Sequence, residues 1–251
     1  MKITAYLEFS RHKWYWTVGA FIIPHEITNC QQEFSKFVVI FFLLNNMCFE
    51  RKDNTMKKLH ITLNGTSPLI EHSPKCVNPL HPIAKEMKLY TSKRKKTEED
   101  LQKISDLEWE SGVYWDDNIG LVIPNECLAA TFLAGAKMNK NGSAFQKYVH
   151  IVDSLAPLNI GEVQNYDKLK TDVRFRDVRS VCVMRARVIR TRPRFNTWSC
   201  EFDLLFDETK IDIDAIIMAI ENAGNYVGLC EMRTMGYGRF AAAVDEVEFA
   251  A

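Results

Sequence analysis

The chain is 251 residues long, 47% hydrophobic, with 32 basic and 32 acidic residues and so no formal net charge. That length allows one large domain or two small ones, and the composition is that of a globular protein with a real core. The balance of charge excludes any argument about partners from the whole chain and leaves only local asymmetry to speak.

Seven cysteines stand at positions 30, 48, 76, 127, 182, 200 and 230, and no two are separated by just two residues. No zinc-knuckle or thiol-redox pattern is therefore present, and the spacing reads as reduced, packed thiols in a cytosolic protein. Residues 37–44, FVVIFFLL, are apolar but far short of the ~20 residues a bilayer span needs, so no membrane partner is expected. Residues 1–55 crowd aromatics without a period of 2 or 3.6 and end in the polar break ERKDNT. Two readings stay open for them. Either Met56 is the natural start, or 1–55 is a genuine strand-rich extension on a domain spanning 56–251.

From Met56 the elements follow in order. LHITLN, 59–64, alternates as a short strand. Residues 65–92 carry Pro68, Pro74, Pro79 and Pro82 and read as loop, opening an insertion over about 65–118. A helix is predicted from near Thr97, with Glu98, Glu99 and Asp100 in its first turn, where acids suit the helix dipole. GLVIP, 120–124, reads as a strand, and Asn125 as the cap of a helix ending at Gly142. Residues 148–152 read as a strand.

Residues 178–206 alternate cleanly. Cys182, Met184, Ala186 and Val188 share one parity, and so do Trp198, Cys200, Phe202, Leu204 and Phe206. A three-residue connection at Arg192-Pro193-Arg194 sets Val188 opposite Trp198 and Arg185 opposite Glu201. Asp212 or Asp214 caps a helix carrying Ile213, Ile216, Ile217 and Ile220, which Gly224 ends, and 240–249 is the last strand. The order strand, insertion, helix, hairpin, helix, strand predicts an α+β, ferredoxin-like βαββαβ core with a helical insertion.

Two stretches carry chemistry. Residues 168–194 hold ten basic residues against two acidic ones, and the expected turn presents Arg190, Arg192 and Arg194 around Pro193. Guanidinium forks match phosphate oxygens and stack on bases. The second stretch, VGLCEMRTMGYGRF at 227–240, sets Arg233 and Arg239 among Gly228, Gly236 and Gly238, with Tyr237 as a stacking face. It precedes a strand, so it is no dinucleotide fingerprint, and it lacks the G-K-[ST] of a Walker loop. Glycines there allow close backbone approach to a nucleic acid or simply turn the chain.

A glycine, arginine and aromatic turn closing into the last strand of a ferredoxin-like domain resembles the glycine-rich loop of the RAMP superfamily. Those are RNA-binding backbone and processing proteins of CRISPR systems, with an RRM-like core. VIPNECLAATFLAGAKM is similar to their proline-initiated helix. RTRPRFNTW followed by ENAGNYVGLCEMRTMGYGRF resembles a phage and prophage family related to them. The likeness covers roughly 57–251 and departs from the pattern at Cys230, where a glycine would be usual. It implies an RNA-related surface in a cytoplasmic protein, not a role in CRISPR immunity. The binding residues expected are Arg190, Arg192, Arg194, Arg233, Gly236, Tyr237, Gly238 and Arg239.

Catalysis without a metal would need a histidine near a 2′-hydroxyl. His60 on the first strand and His72 in the following loop are the candidates, each more readily a structural or solvated side chain. No metal or cofactor motif appears. The expectation is a binding protein for RNA or another single-stranded nucleic acid, with a metal-independent endoribonuclease and a self-assembling homo-oligomer as the alternatives.

Overall fold

The computed structural model describes residues 6–10, 13–18, 21–25, 56–162 and 164–247. The chain divides after Asp53 into two units. Of the first, three strands are described, β1 (Tyr6–Ser10), β2 (Lys13–Val18) and β3 (Phe21–His25), paired antiparallel in that order. Most of what the sequence suggests for 1–55, including the apolar run at 37–44, lies outside the described residues. Among the described residues no helix is long and apolar enough to cross a membrane.

In the second unit β4 (Met56–Gly65) forms because Leu59, Ile61 and Leu63 alternate with polar residues, and all three are fully buried. After it come β5 (Leu69–Ile70), α1 (Pro82–Thr91), α2 (Glu98–Gly112), β6 (Trp115–Asp116), β7 (Gly120–Pro124), α3 (Asn125–Met138) and α4 (Gly142–Tyr148). Then follow β8 (Val149–Ile151), β9 (Leu155–Asn159), α5 (Tyr166–Thr171), β10 (Arg176–Val183), β11 (Ala186–Phe195) and β12 (Ser199–Asp207). The chain ends through α6 (Ile213–Asn222) and β13 (Phe240–Val247).

The main sheet runs β13-β4-β12-β9-β7-β6, with β8 also on β12, and every pairing in it is antiparallel. Strand by strand, β4, α3, the broken strand β8/β9, β12, α6 and β13 make the ferredoxin-like βαββαβ unit. The last strand sits beside the first and the third beside it on the other side. One sheet face is apolar, and α3 and α6 supply Leu128, Phe132, Ile216 and Ile220 to the same core. Phe132 stacks on Phe202 of β12 at 5.8 Å between ring centroids.

Four local expectations are corrected. Residues 65–92 are not all loop: Pro82 opens α1, with His81 Nδ1 accepting from Ile83 N at 3.3 Å. Proline suits that position because first-turn N–H groups have no helical partner anyway. The predicted hairpin does not form. β11 pairs with β10, with Val188 opposite Val181, while β12 pairs with β4, with Phe202 opposite Ile61 and Glu201 opposite Thr62. Alternation sets which face a side chain takes, not which strand lies beside it. The turn is Met184-Arg185, with φ of 46° and 70°, the double left-handed conformation that matches strand twist in two-residue hairpins. Gly142 does not end α3 but starts α4, since Lys140 takes the left-handed turn at φ 61°. Gly224 is not the stop after α6 either. The backbone continues through a π turn, Ala223–Val227, and leaves at Gly228, φ 83°.

The helix predicted near Thr97 forms as read. Thr97 Oγ1 accepts from Asp100 N at 3.2 Å and Asp100 Oδ2 accepts from Thr97 N at 3.0 Å, a reciprocal cap.

Candidate nucleic-acid interface

β10 and β11 form an arm inserted between the second and third core strands. Its outer end carries Met184, 97% exposed, and the exposed Arg185 and Arg187. Toward its base, Thr191, Pro193 and Phe195 are buried, Thr191 beside α2 and Pro193 against Gly112 at that helix's end. Arg190, Arg192 and Arg194 therefore share the opposite face by period 2.

This corrects their predicted place. They stand on a strand at the base of the arm, not on a turn at its tip. Pro193 is tolerated because it takes the last rung of the β10 ladder, opposite Arg176. One residue on, β5 takes over, with Arg194 opposite Ile70 and Phe195 opposite Leu69. Glu71 N donates to Pro193 O at 3.1 Å.

Each of the three has acidic company. Arg190 Nη1 donates to Glu108 Oε1 at 2.5 Å, and Thr191 N donates to the other oxygen of that buried carboxylate at 2.8 Å. Arg192 Nη2 lies 3.7 Å from Glu231, and Arg194 Nη1 lies 4.0 Å from Asp177. Arg190 thus anchors the arm to α2. Arg192 and Arg194 are held more loosely: Arg192 Nη1 and Arg194 Nε are buried and make no hydrogen bond within the protein. Arg239 Nη1 is in the same condition.

The glycine-rich turn folds over this face. Glu231 N donates to Ile70 O at 3.0 Å and Gly238 N to Pro68 O at 2.9 Å, so the turn lies along residues 67–70. Ser67 Oγ donates to Gly236 O and accepts from Arg239 N, at 2.9 and 2.8 Å. Two of the glycines are there for the protein's own packing. A Cβ on Gly238, φ 68°, would stand 2.1 Å from Leu229 O, and one on Gly228 would stand 2.5 Å from Tyr237 O. Gly236, φ 84°, differs: a Cβ there would meet nothing within 4 Å, so only its backbone conformation calls for glycine.

Tyr237 joins the two stretches. Arg179 Nη2 donates to its hydroxyl at 2.9 Å, and the guanidinium carbon lies 4.9 Å from the ring centroid. Arg179 also holds Asp177 bidentately. The stacking face expected of Tyr237 therefore already carries a cation on one side. Arg233 is exposed, and its carbonyl accepts from Arg239 Nη2 at 3.4 Å. Glu231 gathers His72, Arg192 and Arg233, and its carboxyl is held below the ordinary range, chiefly by the His72 contact at 3.8 Å and then by the two arginines.

The structure thus brings Arg192, Arg194, Tyr237 and His72 to one region with Arg179, Asp177 and Glu231, three residues the sequence did not single out. Arg179 lay within the basic run, but nothing in a linear pattern says which loop it meets. His60 is elsewhere. It stands on the far face of the sheet, 2.9 Å from Asp203 and 3.9 Å from Glu201, and shares no partner with His72 among the described residues. Lys58 binds the same Asp203 at 2.7 Å. Among the described residues no group of three His, Cys, Asp or Glu side chains is placed to hold a metal ion.

No protein-family model and no curated protein sequence matches the chain. Among solved structures it is similar to a chain of the type III-B Cmr-beta complex, seen by cryo-EM bound to cognate target RNA. The identity is 10% and the TM-score 0.44, over 88% of this chain and 68% of that one. The ferredoxin-like assignment stands on the strand order itself.

Proposed function

We propose that the chain binds RNA, or another single-stranded nucleic acid, along the face shared by the base of the β10–β11 arm and the glycine-rich turn. The supporting observation is the Arg179–Tyr237 contact. It joins the basic run and the turn into one surface, where Arg194 is part-exposed and Arg233 exposed, while the unpartnered guanidinium nitrogens of Arg192, Arg194 and Arg239 are buried and reach a ligand only if their side chains move. Phosphate oxygens are the acceptors such forks fit best. An incoming phosphate competes with Glu231 for Arg192. Arg190 is a brace rather than a contact, given its bond to buried Glu108. Kinship with phage and prophage proteins belongs to the same proposal and rests on the sequence resemblance.

Fluorescence anisotropy of the full chain tests it, with labelled single-stranded RNA, single-stranded DNA and duplex DNA at two salt concentrations. Arg192→Ala with Arg194→Ala is expected to weaken single-strand binding ~10-fold or more and lower the salt slope by about 2. Lys58→Ala with His60→Ala, on the far face, is the control and changes affinity less than about 2-fold. Equal losses from both pairs, or no single-strand binding at low salt, would end this reading.

Two alternatives each have one observation. His72 and Arg192 approach the two oxygens of one carboxylate, Glu231, so a ribonuclease reading, with a general base near a phosphate-binding arginine, moves from His60 to His72. Labelled RNA that shortens with the wild type and not with His72→Ala supports it. Exposed Met184, Ile189 and Val178 on the arm suit burial in a second copy. An oligomer on sizing that Met184→Ser with Ile189→Ser dissolves supports that.

A further inference from the structure

Glu231 divides its two oxygens between cations from two other parts of the chain. Oε2 lies 3.8 Å from His72 Nδ1, in the loop after β5, and Oε1 lies 3.7 Å from Arg192 Nη2, on β11. Backbone bonds fix this meeting. Glu231 N donates to Ile70 O at 3.0 Å, which sets Glu231 beside residues 70–72. Glu71 N donates to Pro193 O at 3.1 Å, which sets those same residues beside Arg192. The Arg192 side chain is 14% exposed and that of His72 55%, so solvent reaches the imidazole far more freely than the guanidinium.

The charged and titratable neighbours among the described residues are engaged elsewhere. Asp177 on β10 stands opposite Arg192 but is held bidentately by Arg179, with Arg194 4.0 Å away. Glu71, next to His72, accepts from Tyr114 N at 2.8 Å, and burial pushes its carboxyl well above the ordinary range. Lys75 donates to Val113 O at 2.7 Å. The Tyr114 hydroxyl donates to the His72 carbonyl at 3.4 Å rather than to the ring. Arg233 acts on Glu231 more weakly than His72 and Arg192 do. The Glu231 carboxyl, held below its ordinary range, stays ionised throughout the interval of about pH 5 to 8 in which an imidazole changes charge. With His72 neutral, Glu231 has Arg192 as its close cationic partner. With His72 protonated, the same carboxylate faces two cations and holds each less firmly.

We propose that His72 is a pH-sensitive switch on Arg192: its protonation draws Glu231 away from that arginine and frees the guanidinium for a phosphate-bearing strand. This rests on the nucleic-acid reading above and adds its regulation. His72 acts through Glu231 and is a positioning residue. A site that binds more tightly when the imidazole is protonated takes up a proton on binding, so affinity rises as pH falls.

Anisotropy of the full chain with labelled single-stranded RNA, at pH 8 and pH 5.5 and one salt concentration, tests the switch. The wild type is expected to bind ~3-fold tighter at pH 5.5, the scale of a part-exposed ion pair. His72→Gln should reduce that difference below about 1.5-fold, while His60→Gln, on the far face, should keep it. Without nucleic acid, the Nε–Hε NMR signal of Arg192, assigned through Arg192→Lys, should move between the two pH values in the wild type and stay put in His72→Gln. An undiminished pH dependence in His72→Gln, or an Arg192 signal that stays put in the wild type, would overturn the switch and leave RNA binding standing. A moving Arg192 signal with no RNA bound at either pH would support the exchange at Glu231 and end the nucleic-acid reading instead.

Discussion

The far face of the sheet and the face of the arm differ in charge and in how their polar groups are used. On the far face, β4 presents Lys58, His60, Thr62 and Asn64, β12 presents Glu201 and Asp203, and β13 presents Ala243 and Asp245. These described positions carry no aromatic, and acids outnumber the one lysine. Lys58 and His60 are already taken by Asp203. RRM-type recognition needs aromatics on that surface for bases to stack on. The arm face has the opposite character: arginines two residues apart, a tyrosine under a guanidinium, and guanidinium nitrogens with no protein partner. One fold offers both surfaces, and only the side chains say which suits an anionic strand.

The largest effect expected on this contrast comes from the turn itself. Gly238→Ala puts a methyl group into the Leu229 backbone at a left-handed position, so a loss of ~3 kcal/mol or more is expected by urea denaturation. Gly236→Ala, with open space around it, should cost about 1 kcal/mol. Similar losses at the two positions would mean that the turn does not pack on itself as described.

A second test concerns Glu71, which is fully buried, accepts from Tyr114 N at 2.8 Å, and leaves its other oxygen without a hydrogen bond. Burial pushes its carboxyl well above the ordinary 4.5. The folded state therefore holds a proton that the unfolded state gives up. Stability from this group is whole below the unfolded value and is lost as pH rises from there toward the folded value, at about 1.4 kcal/mol per pH unit. Glu71→Gln should flatten that slope, as read from denaturation midpoints between pH 5 and 8. An unchanged slope would assign it to other groups.

Removing competition should sharpen the arm face. Glu231→Gln frees Arg192 and His72 from a carboxylate, and single-strand affinity is expected to rise ~3-fold at low salt. A fall would mean that Glu231 positions Arg192 rather than competing for it. The smallest effect is Arg185→Gly. It relieves a left-handed φ in the arm's turn and should stabilise the fold by about 0.5 kcal/mol without altering the base of the arm.

Much of the architecture could be read in advance. The alternation of β4 and β12, the isoleucines of α6 and the Thr97 cap each follow from a local period or a local hydrogen bond. The sequence also marked the two stretches that form the candidate site. What it could not supply was partnership. Parity along 178–206 is the same whether β11 lies beside β12 or β10, because a strand's faces follow from its own backbone while its neighbour depends on the rest of the chain. The same limit hid the contacts of Arg190 with Glu108 and of Arg179 with Tyr237. Each joins residues remote in sequence, and only the closing of the sheet, with the turn folded over the arm, sets them side by side.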